Sequence, residues 1–193
     1  MKYVQRIVLC MLSIGIVACG RTSPQTKPEP SHEAKTKLEA FQAKTGVVII
    51  RGFSVIGSVS GQYSGSVSVE SREFLDASTG KREYGITIHV AKGGEIEREN
   101  TSYIDYDEIE SLLKGIDYIS KVKSSVTNLE DFQADYRTKG DFQISTFSAR
   151  KGAIMAAVSS GAYGEVSTYF PLSKLDGLRD LIVKAKAKLD TIK

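Results

Sequence analysis

The feature that most constrains the fold of this chain is an internal repeat at an offset of 66 residues. The matched pairs span a strand end, a helix start and the apolar stripe of a helix: Tyr103 with Tyr169, Ile104 with Phe170, Asp107 with Ser173, Glu110 with Asp176, Leu112 with Leu178 and Ile116 with Ile182. One amphipathic helix can match another by chance, but four predicted strands also precede each of these helices. A duplicated ββββα unit is therefore predicted, with halves at about 47–122 and 123–190.

Alternating apolar residues, broken by glycine-containing turns, predict the strands of each half. They are expected at 47–60, 66–75, 83–91 and 95–104, and then at 132–138, 141–149, 153–160 and 163–170. Ser78–Thr79–Gly80 and Gly93–Gly94 read as two of the hairpin turns. The predicted fold class is α+β, an antiparallel β-rich domain over residues 46–193.

A capping pattern marks the predicted start of the helix in each half. Asp107 is followed three residues later by Glu110, and Ser173 by Asp176. This spacing is typical of an N-cap whose side chain bonds the first turn. Asp107 and Ser173 are therefore predicted as N-cap residues, with the first helix ending near Lys121.

The order of elements over residues 47–190 resembles the tandem ββββα arrangement of the Whirly and transcriptional-coactivator single-strand DNA binders. The resemblance is one of element order and includes no signature motif. It implies binding of single-stranded nucleic acid on the sheet. The basic and acidic residues of this chain are interleaved, however, whereas a nucleic-acid binder is expected to have a clustered basic face. Nucleic-acid binding is therefore the less favoured expectation.

The N-terminus carries the pattern of an export signal. Lys2 and Arg6 precede an apolar run of 12 residues, 7–18, which is too short for the ~20 residues that span a bilayer. A basic start, a short apolar run and small residues before a cleavage point are typical of a secretory signal peptide. A signal peptide is predicted over residues 1–18.

The end of this run, Ile16-Val17-Ala18-Cys19, resembles the lipobox of bacterial lipoproteins. The resemblance implies lipidation of the Cys19 thiol, cleavage before it and acylation of the new amino terminus. Several acyl chains together would give a stable membrane anchor. Gly20 follows the cysteine, and by the enterobacterial sorting rule this implies the outer membrane, with the domain facing the periplasm.

A tether and a short helix are predicted between the anchor and the domain. Residues 19–31 include Pro24, Pro28 and Pro30 among polar residues, a composition that favours extended chain. Residues 32–45 then place Ala34, Leu38 and other apolar residues at helical spacing. We expect this amphipathic helix to pack on the domain rather than to lie on a membrane.

Charge and cysteine content narrow the function classes further. The full chain has a net charge of +3, but removal of Lys2 and Arg6 leaves a mature chain near +1. Cys10 leaves with the signal and Cys19 is consumed by the lipid, so no disulfide is expected. Neither a cofactor nor a metal site is predicted, because the acids around Asp107 lack the calcium-loop pattern and fit a helix start.

The candidate binding face comprises Thr87, His89, Tyr63 and Tyr163. Thr87 and His89 alternate with apolar residues on one predicted strand, and the tyrosines offer amphipathic contact surface. No catalytic residue is assigned, because the chain shows no recognisable nucleophile motif. The favoured function is a non-enzymatic binding or accessory lipoprotein of the envelope, whose partner is a protein, glycan or lipid. A periplasmic hydrolase is the alternative.

Overall fold

A computed structural model of the chain describes residues 33–94 and 97–193. The predicted signal peptide, the lipidation residue Cys19 and the tether at 19–31 lie outside the described residues. The described α-helices and strands follow the order α1 (Lys37–Gln42), β1 (Ile49–Ser60), β2 (Ser66–Asp76), β3 (Arg82–Lys92), β4 (Arg98–Asp105), α2 (Ile109–Ile119), β5 (Gln133–Arg137), β6 (Phe142–Ser148), β7 (Ile154–Ser160), β8 (Val166–Pro171) and α3 (Leu175–Asp190).

The eight strands form two separate four-stranded antiparallel sheets. The first sheet has the order β1-β2-β3-β4 and the second β5-β6-β7-β8, and a helix follows each sheet. This confirms the predicted α+β class and the pseudo-duplicated ββββα plan. The strand bounds differ most at β4, which begins at Arg98 rather than 95, and at β8, which begins at Val166 rather than 163 because Gly164 adopts a left-handed turn conformation.

Each helix packs on the sheet of the other half. α3 lies on β1, β2 and β3, whereas α2 lies on β5 and β6, and the two helices also touch each other. The face of each sheet turned toward these helices is called its core face. In the first sheet the fully buried core-face side chains include Val67, Val69, Ile86, Ile88 and Val90. Because neither half covers its own sheet, residues Glu33–Lys193 form one compact unit.

The sheets also touch directly, through β3 and β4 of the first and β7 and β8 of the second. Ser102 and Ser160 are buried at this contact, and their hydroxyl oxygens lie 2.7 Å apart. A hydrogen bond there satisfies two polar groups that burial would otherwise penalise. The contact therefore links the two halves without leaving these hydroxyls unpaired.

The predicted N-cap roles of Asp107 and Ser173 are wrong. Each residue is the middle one of a 3-10 turn, Tyr106–Glu108 or Leu172–Lys174, and the α-helices begin only after these turns. The N-cap residues are Glu108 and Lys174, and neither makes a side-chain capping bond. The tighter turn places the cap one residue later than the capping pattern predicts, but Asp107 and Ser173 remain equivalent positions.

The N-terminal helix α1 is shorter than the predicted range of 32–45. Thr36 is its N-cap: its hydroxyl accepts a hydrogen bond from the Glu39 N–H at 3.0 Å, and the Glu39 carboxylate accepts one from the Thr36 N–H at 3.0 Å. This capping box fixes the start of the helix, so Ala34 precedes it and is exposed. Leu38 is buried, as expected for packing on the domain. No helix among the described residues is long and apolar enough to cross a membrane.

Candidate binding face

The outer face of each sheet is the face opposite its core face, and α1 covers one end of the outer face of the first sheet. Leu38 and Phe41 of α1 form a small buried cluster with Phe74 of β2, beside Tyr103 of β4. Gly85 of β3 lies below, and a Cβ atom there would come within 2.5 Å of the Leu38 side chain. The glycine therefore provides the space in which α1 sits.

Carboxylates of the domain hold the N-terminus of α1 in place. Asp105 is buried and accepts hydrogen bonds from the N–H groups of Lys37, at 2.9 Å, and Leu38, at 3.1 Å. Asp107 lies 2.7 Å from the Lys37 ammonium, and this hydrogen bond lowers the pKa of the Asp107 carboxyl and raises that of Lys37. Helix N-termini attract negative charge because their first N–H groups lack partners within the helix.

Beyond α1, five polar side chains of β2, β3 and β4 form what we call the outer-face network: Glu70, Arg72, Thr87, His89 and Thr101. The Glu70 carboxylate pairs with the Arg72 guanidinium and lies 3.3 Å from His89 Nε2. Arg72 Nε donates to the Thr87 hydroxyl at 3.1 Å, and Thr101 Oγ1 lies 2.6 Å from His89 Nδ1. Both ring nitrogens of His89 are thus engaged.

The strand pairing explains why these residues meet. Glu70 stands opposite Thr87, and His89 stands opposite Thr101. Directly opposed side chains in an antiparallel pair lie on the same face with Cβ atoms about 4.5–5.5 Å apart. The sheet register thus determines which side chains form the network. The side chains of Glu70, Arg72 and His89 are about one-sixth to one-third exposed.

Two of the residues predicted for the binding face, Thr87 and His89, belong to this network, but Thr87 is not accessible. The Thr87 residue is 0 % exposed, because the Arg72 side chain bonds its hydroxyl from the outer side. Thr87 therefore positions Arg72 rather than offering a contact surface. His89 keeps about a third of its side chain exposed.

The predicted tyrosines Tyr63 and Tyr163 lie in turns and not on the strands that carry the outer-face network. Tyr63 lies in the β1–β2 turn and Tyr163 in the β7–β8 turn, where they are 78 % and 80 % exposed. The β1–β2 turn instead contacts the second sheet, since the Gln62 N–H donates to the Tyr169 carbonyl at 2.8 Å. The structure thus places two of the four predicted residues on the strands of this face and two in turns at strand ends, and a binding face shared by all four stays a prediction.

Sequence reasoning missed the apolar and charged residues that complete the face. Phe53 of β1 lies beside the network, with the Arg72 guanidinium 5.0 Å above its ring. Phe53 and Val55 point outward and are 64 % and 66 % exposed. Glu70 and Thr101 could have been found by counting residues from the predicted turns, because these counts set which residues oppose Thr87 and His89.

The arrangement offers recognition groups and one proton relay. Thr101, His89 and Glu70 follow the order of a hydroxyl, an imidazole and a carboxylate, as in nucleophilic catalysis. Among the described residues no group of three or more His, Cys, Asp or Glu side chains is placed to hold a metal. A cleft of about 810 Å³ lies elsewhere, at the end of the second sheet between Phe132, Phe147 and Ile154.

No protein-family model matches the chain, and no curated protein or solved structure shows significant similarity to it.

Proposed function

We propose that the chain is a lipid-anchored lipoprotein of the bacterial cell envelope whose folded domain is a non-enzymatic binding module. The anchor is the lipid on Cys19, in the setting Ile16-Val17-Ala18-Cys19. The module binds an envelope partner, whether protein, glycan or lipid, through the outer face of the first sheet. Gly20 favours the outer membrane over the inner as the location.

The observation that carries the binding role is the pair of Phe53, which is 64 % exposed, and Arg72, whose side chain is 20 % exposed beside it. Aromatic residues and arginine contribute disproportionately to binding energy in protein interfaces. Here the guanidinium is fixed by Glu70 and Thr87 before any partner arrives. Pre-ordering of a long side chain lowers the entropy cost of binding, so the network favours a recognition surface.

The anchor is tested by mass spectrometry of the mature N-terminus and by cell fractionation. Wild-type protein is expected to begin at residue 19 with an acylated cysteine and to sediment with membranes. A Cys19→Ser variant is expected to appear in soluble fractions or to remain unprocessed. An unmodified Cys19 in the wild-type protein would contradict the anchor.

The binding face is tested by photocrosslinking in intact cells. A photoreactive amino acid at Ala91, half-exposed and next along the outer face from His89, is expected to capture a partner. The same probe at Leu129, an exposed loop residue, is the matched control. Capture is expected to fall in an Arg72→Ala background. Equal capture at both positions, or no loss with Arg72→Ala, would contradict this face.

A periplasmic hydrolase is the second candidate, favoured specifically by the Thr101–His89–Glu70 relay. Hydrolysis of an envelope substrate that survives Thr101→Ser but is lost with Thr101→Val and with His89→Ala would establish the enzyme and overturn the binding role.

A further inference from the structure

Exposed apolar side chains concentrate on one strand, β1. Val48 just before the strand, and Ile50, Phe53 and Val55 within it, are each more than half exposed. β1 is an edge strand of 12 residues whose ladder bonds, within the described residues, are made to β2 alone. In the part of the chain that the structure describes, the other edge of β1 therefore presents unpaired backbone N–H and C=O groups, which are a template for a further strand.

β1 largely lacks the features that usually protect such an edge. Soluble proteins block exposed edges with lysine, proline, inward-pointing charge or a β-bulge. Residues 49–60 contain no lysine or proline, and Arg51 is their only charged residue. A bulge interrupts the register between Val55 and Gly57. The stretch before this bulge is thus an open, nearly uncharged edge.

We propose that β1 pairs antiparallel with β1 of a second copy of this chain, over residues 51–55 and about a two-fold axis at Phe53. The result is a homodimer with a continuous eight-stranded sheet. A two-fold dimer is the arrangement in which one surface satisfies itself and closes without leaving a further edge of the same kind.

Strand geometry restricts the register of this pairing. Directly opposed residues have their side chains on the same face of the sheet. The two-fold axis must therefore lie between the two copies of one residue, so that this residue stands opposite itself. An axis at Arg51 would oppose two like charges, and an axis at Val55 would place the bulge near the centre of the pairing. An axis at Phe53 avoids both and brings the two exposed phenylalanine rings together.

Charge complementarity favours a second copy as the occupant. In this register Arg51 of one copy stands opposite Val55 of the other. Val55 in turn stands opposite Glu70 on β2, so the guanidinium arrives on the same outer face as a carboxylate that already pairs with Arg72 of its own copy. Strands lie about 4.8 Å apart, which places the Glu70 of the second copy within reach of a long arginine side chain. The two-fold axis makes this contact twice.

The dimer would place two outer-face networks on one surface. The inference itself rests on β1 alone and does not depend on the lipid anchor or on an envelope ligand. Its failure is therefore distinguishable from failure of the proposed function, which is read from acylation of Cys19 and from capture at Ala91.

Cysteine crosslinking of the full-length chain tests the register. A Phe53→Cys variant is expected to form a disulfide-linked dimer under mild oxidation, since opposed Cα atoms lie about 4.5–5.5 Å apart and disulfides span about 4.4–6.8 Å. The matched control is Ser58→Cys, exposed on the same strand. Its two cysteines would lie about 33 Å apart in the proposed register. The unsubstituted chain, with Cys10 and Cys19, sets the background.

A charge pair at Val55 separates dimerisation from folding. Val55→Lys places a second cation opposite Arg51 and is expected to weaken the dimer about tenfold by sedimentation equilibrium. Val55→Glu places an anion there and is expected to preserve or tighten it. The expected order of folding stability within one copy is the reverse of the order of dimer affinity, because a lysine opposite Glu70 is favourable and a glutamate there is not. A loss of folding therefore cannot imitate the expected result.

The proposal is overturned by a monomeric wild-type chain, by crosslinking at Ser58→Cys as strong as at Phe53→Cys, or by equal dimer weakening in the two Val55 variants. Recovery of Phe53→Cys in a disulfide with a different protein would also overturn it, because the occupant would then not be a second copy.

Discussion

The outer faces of the two sheets can be compared position by position. Residues that stand opposite one another across the four strands form a row, and the rows are aligned by taking Tyr103 and Tyr169 as corresponding positions. The row Val55, Glu70, Thr87 and Tyr103 corresponds to Asp135, Ser145, Ala157 and Tyr169. In the neighbouring rows Arg72 corresponds to Phe147, and His89 corresponds to Ser159. The arginine and the imidazole of the outer-face network thus have no charged counterpart in the second sheet.

The second sheet has a polar cluster of its own, centred on Asp135. This carboxylate accepts hydrogen bonds from the side-chain amides of Gln133 and Gln143, at 3.0 and 3.1 Å, and from the Ser145 hydroxyl. Phe147 and Tyr169 then pack edge to face with ring centroids 6.3 Å apart. Arg137 of the same face donates to the Gln143 amide oxygen at 3.0 Å. In the second sheet the charged groups therefore bond amides and a hydroxyl, whereas in the first the Glu70 carboxylate pairs directly with Arg72.

The difference shows which constraints the two halves share. Each core face must fit a helix, so both halves keep the same apolar pattern there. The outer faces do not have to fit α2 or α3, and their side chains differ in chemistry. Only the first has a helix over it among the described residues, because Gly85 leaves space for α1 where the second sheet has Met155. We therefore place the specific function on the first sheet.

The largest expected effect comes from removing the side chain that seats α1. Leu38 is fully buried, so Leu38→Ala is expected to lower the free energy of unfolding by about 3 kcal/mol through lost contacts and a cavity. Leu129→Ala, the same substitution at an exposed site, is expected to be nearly neutral. Urea denaturation measures both. Similar losses for the two variants would mean that α1 contributes little to the first half.

A second variant makes the first sheet resemble the other. Gly85→Met introduces the residue found at the equivalent position of the second sheet, but its Cβ atom would lie 2.3 Å from the Ile104 carbonyl oxygen. Either α1 or the strand must move, and such overpacking costs about 1–3 kcal/mol. Greater hydrogen–deuterium exchange in α1 and a lower urea midpoint are expected. A variant as stable as wild type, with α1 still protected, would contradict the glycine's role.

A third substitution transfers the chemistry of the second sheet into the network. Thr87→Ala copies Ala157 and leaves Arg72 Nε without its acceptor, which is expected to cost about 1 kcal/mol in stability. The reverse change, Ala157→Thr, adds a hydroxyl at a half-exposed site and is expected to be almost neutral. Loss of partner capture at Ala91 in Thr87→Ala, at protein levels matched to wild type, would show that Arg72 must be held in position.

The repeat and the alternation of apolar residues were enough to predict the class, the order of strands and helices along the chain and the core-facing residues, but not whether the two halves share one sheet. Ile116 and Ile182, matched at the offset of 66, are both fully buried on their helices. What the sequence could not predict was the exchange of helices between the sheets. Amphipathic stripes indicate that a helix packs, but the stripes of α2 and α3 do not distinguish one sheet from the other.

The candidate site was predicted only in part for a related reason. Alternation along β3 placed His89 outside the core, but a single strand does not reveal its neighbours. Arg72 lies 17 residues from His89, and only the hairpin register brings them into one network. Residue type alone suggested Tyr63 and Tyr163, and the structure places both in turns rather than on the strands of the network.

The smallest effects are expected from substitutions of Asp107 and Ser173, the equivalent residues in the turns before α2 and α3. Ser173→Ala is expected to change stability by less than about 0.5 kcal/mol, because α3 has no side-chain cap at Lys174 for the substitution to remove. Asp107→Ala instead breaks the exposed pair with Lys37, which is worth up to about 1 kcal/mol.

The pH dependence of these two variants separates a lost charge pair from a lost cap. The Asp107 pKa is lowered in the folded state by the hydrogen bond from Lys37. Its contribution is therefore complete above the unfolded-state value near 3.9 and is lost as the pH falls through the lower folded-state pKa. The difference between wild type and Asp107→Ala is expected to be constant from about pH 5 to 8 and to shrink in acid, whereas Ser173→Ala follows wild type throughout. Urea denaturation across this pH range is the measurement. A difference between wild type and Asp107→Ala that stays constant into acid would show that the charge pair with Lys37 contributes nothing, and a Ser173→Ala loss of similar size would show that this hydroxyl stabilises the start of α3 after all.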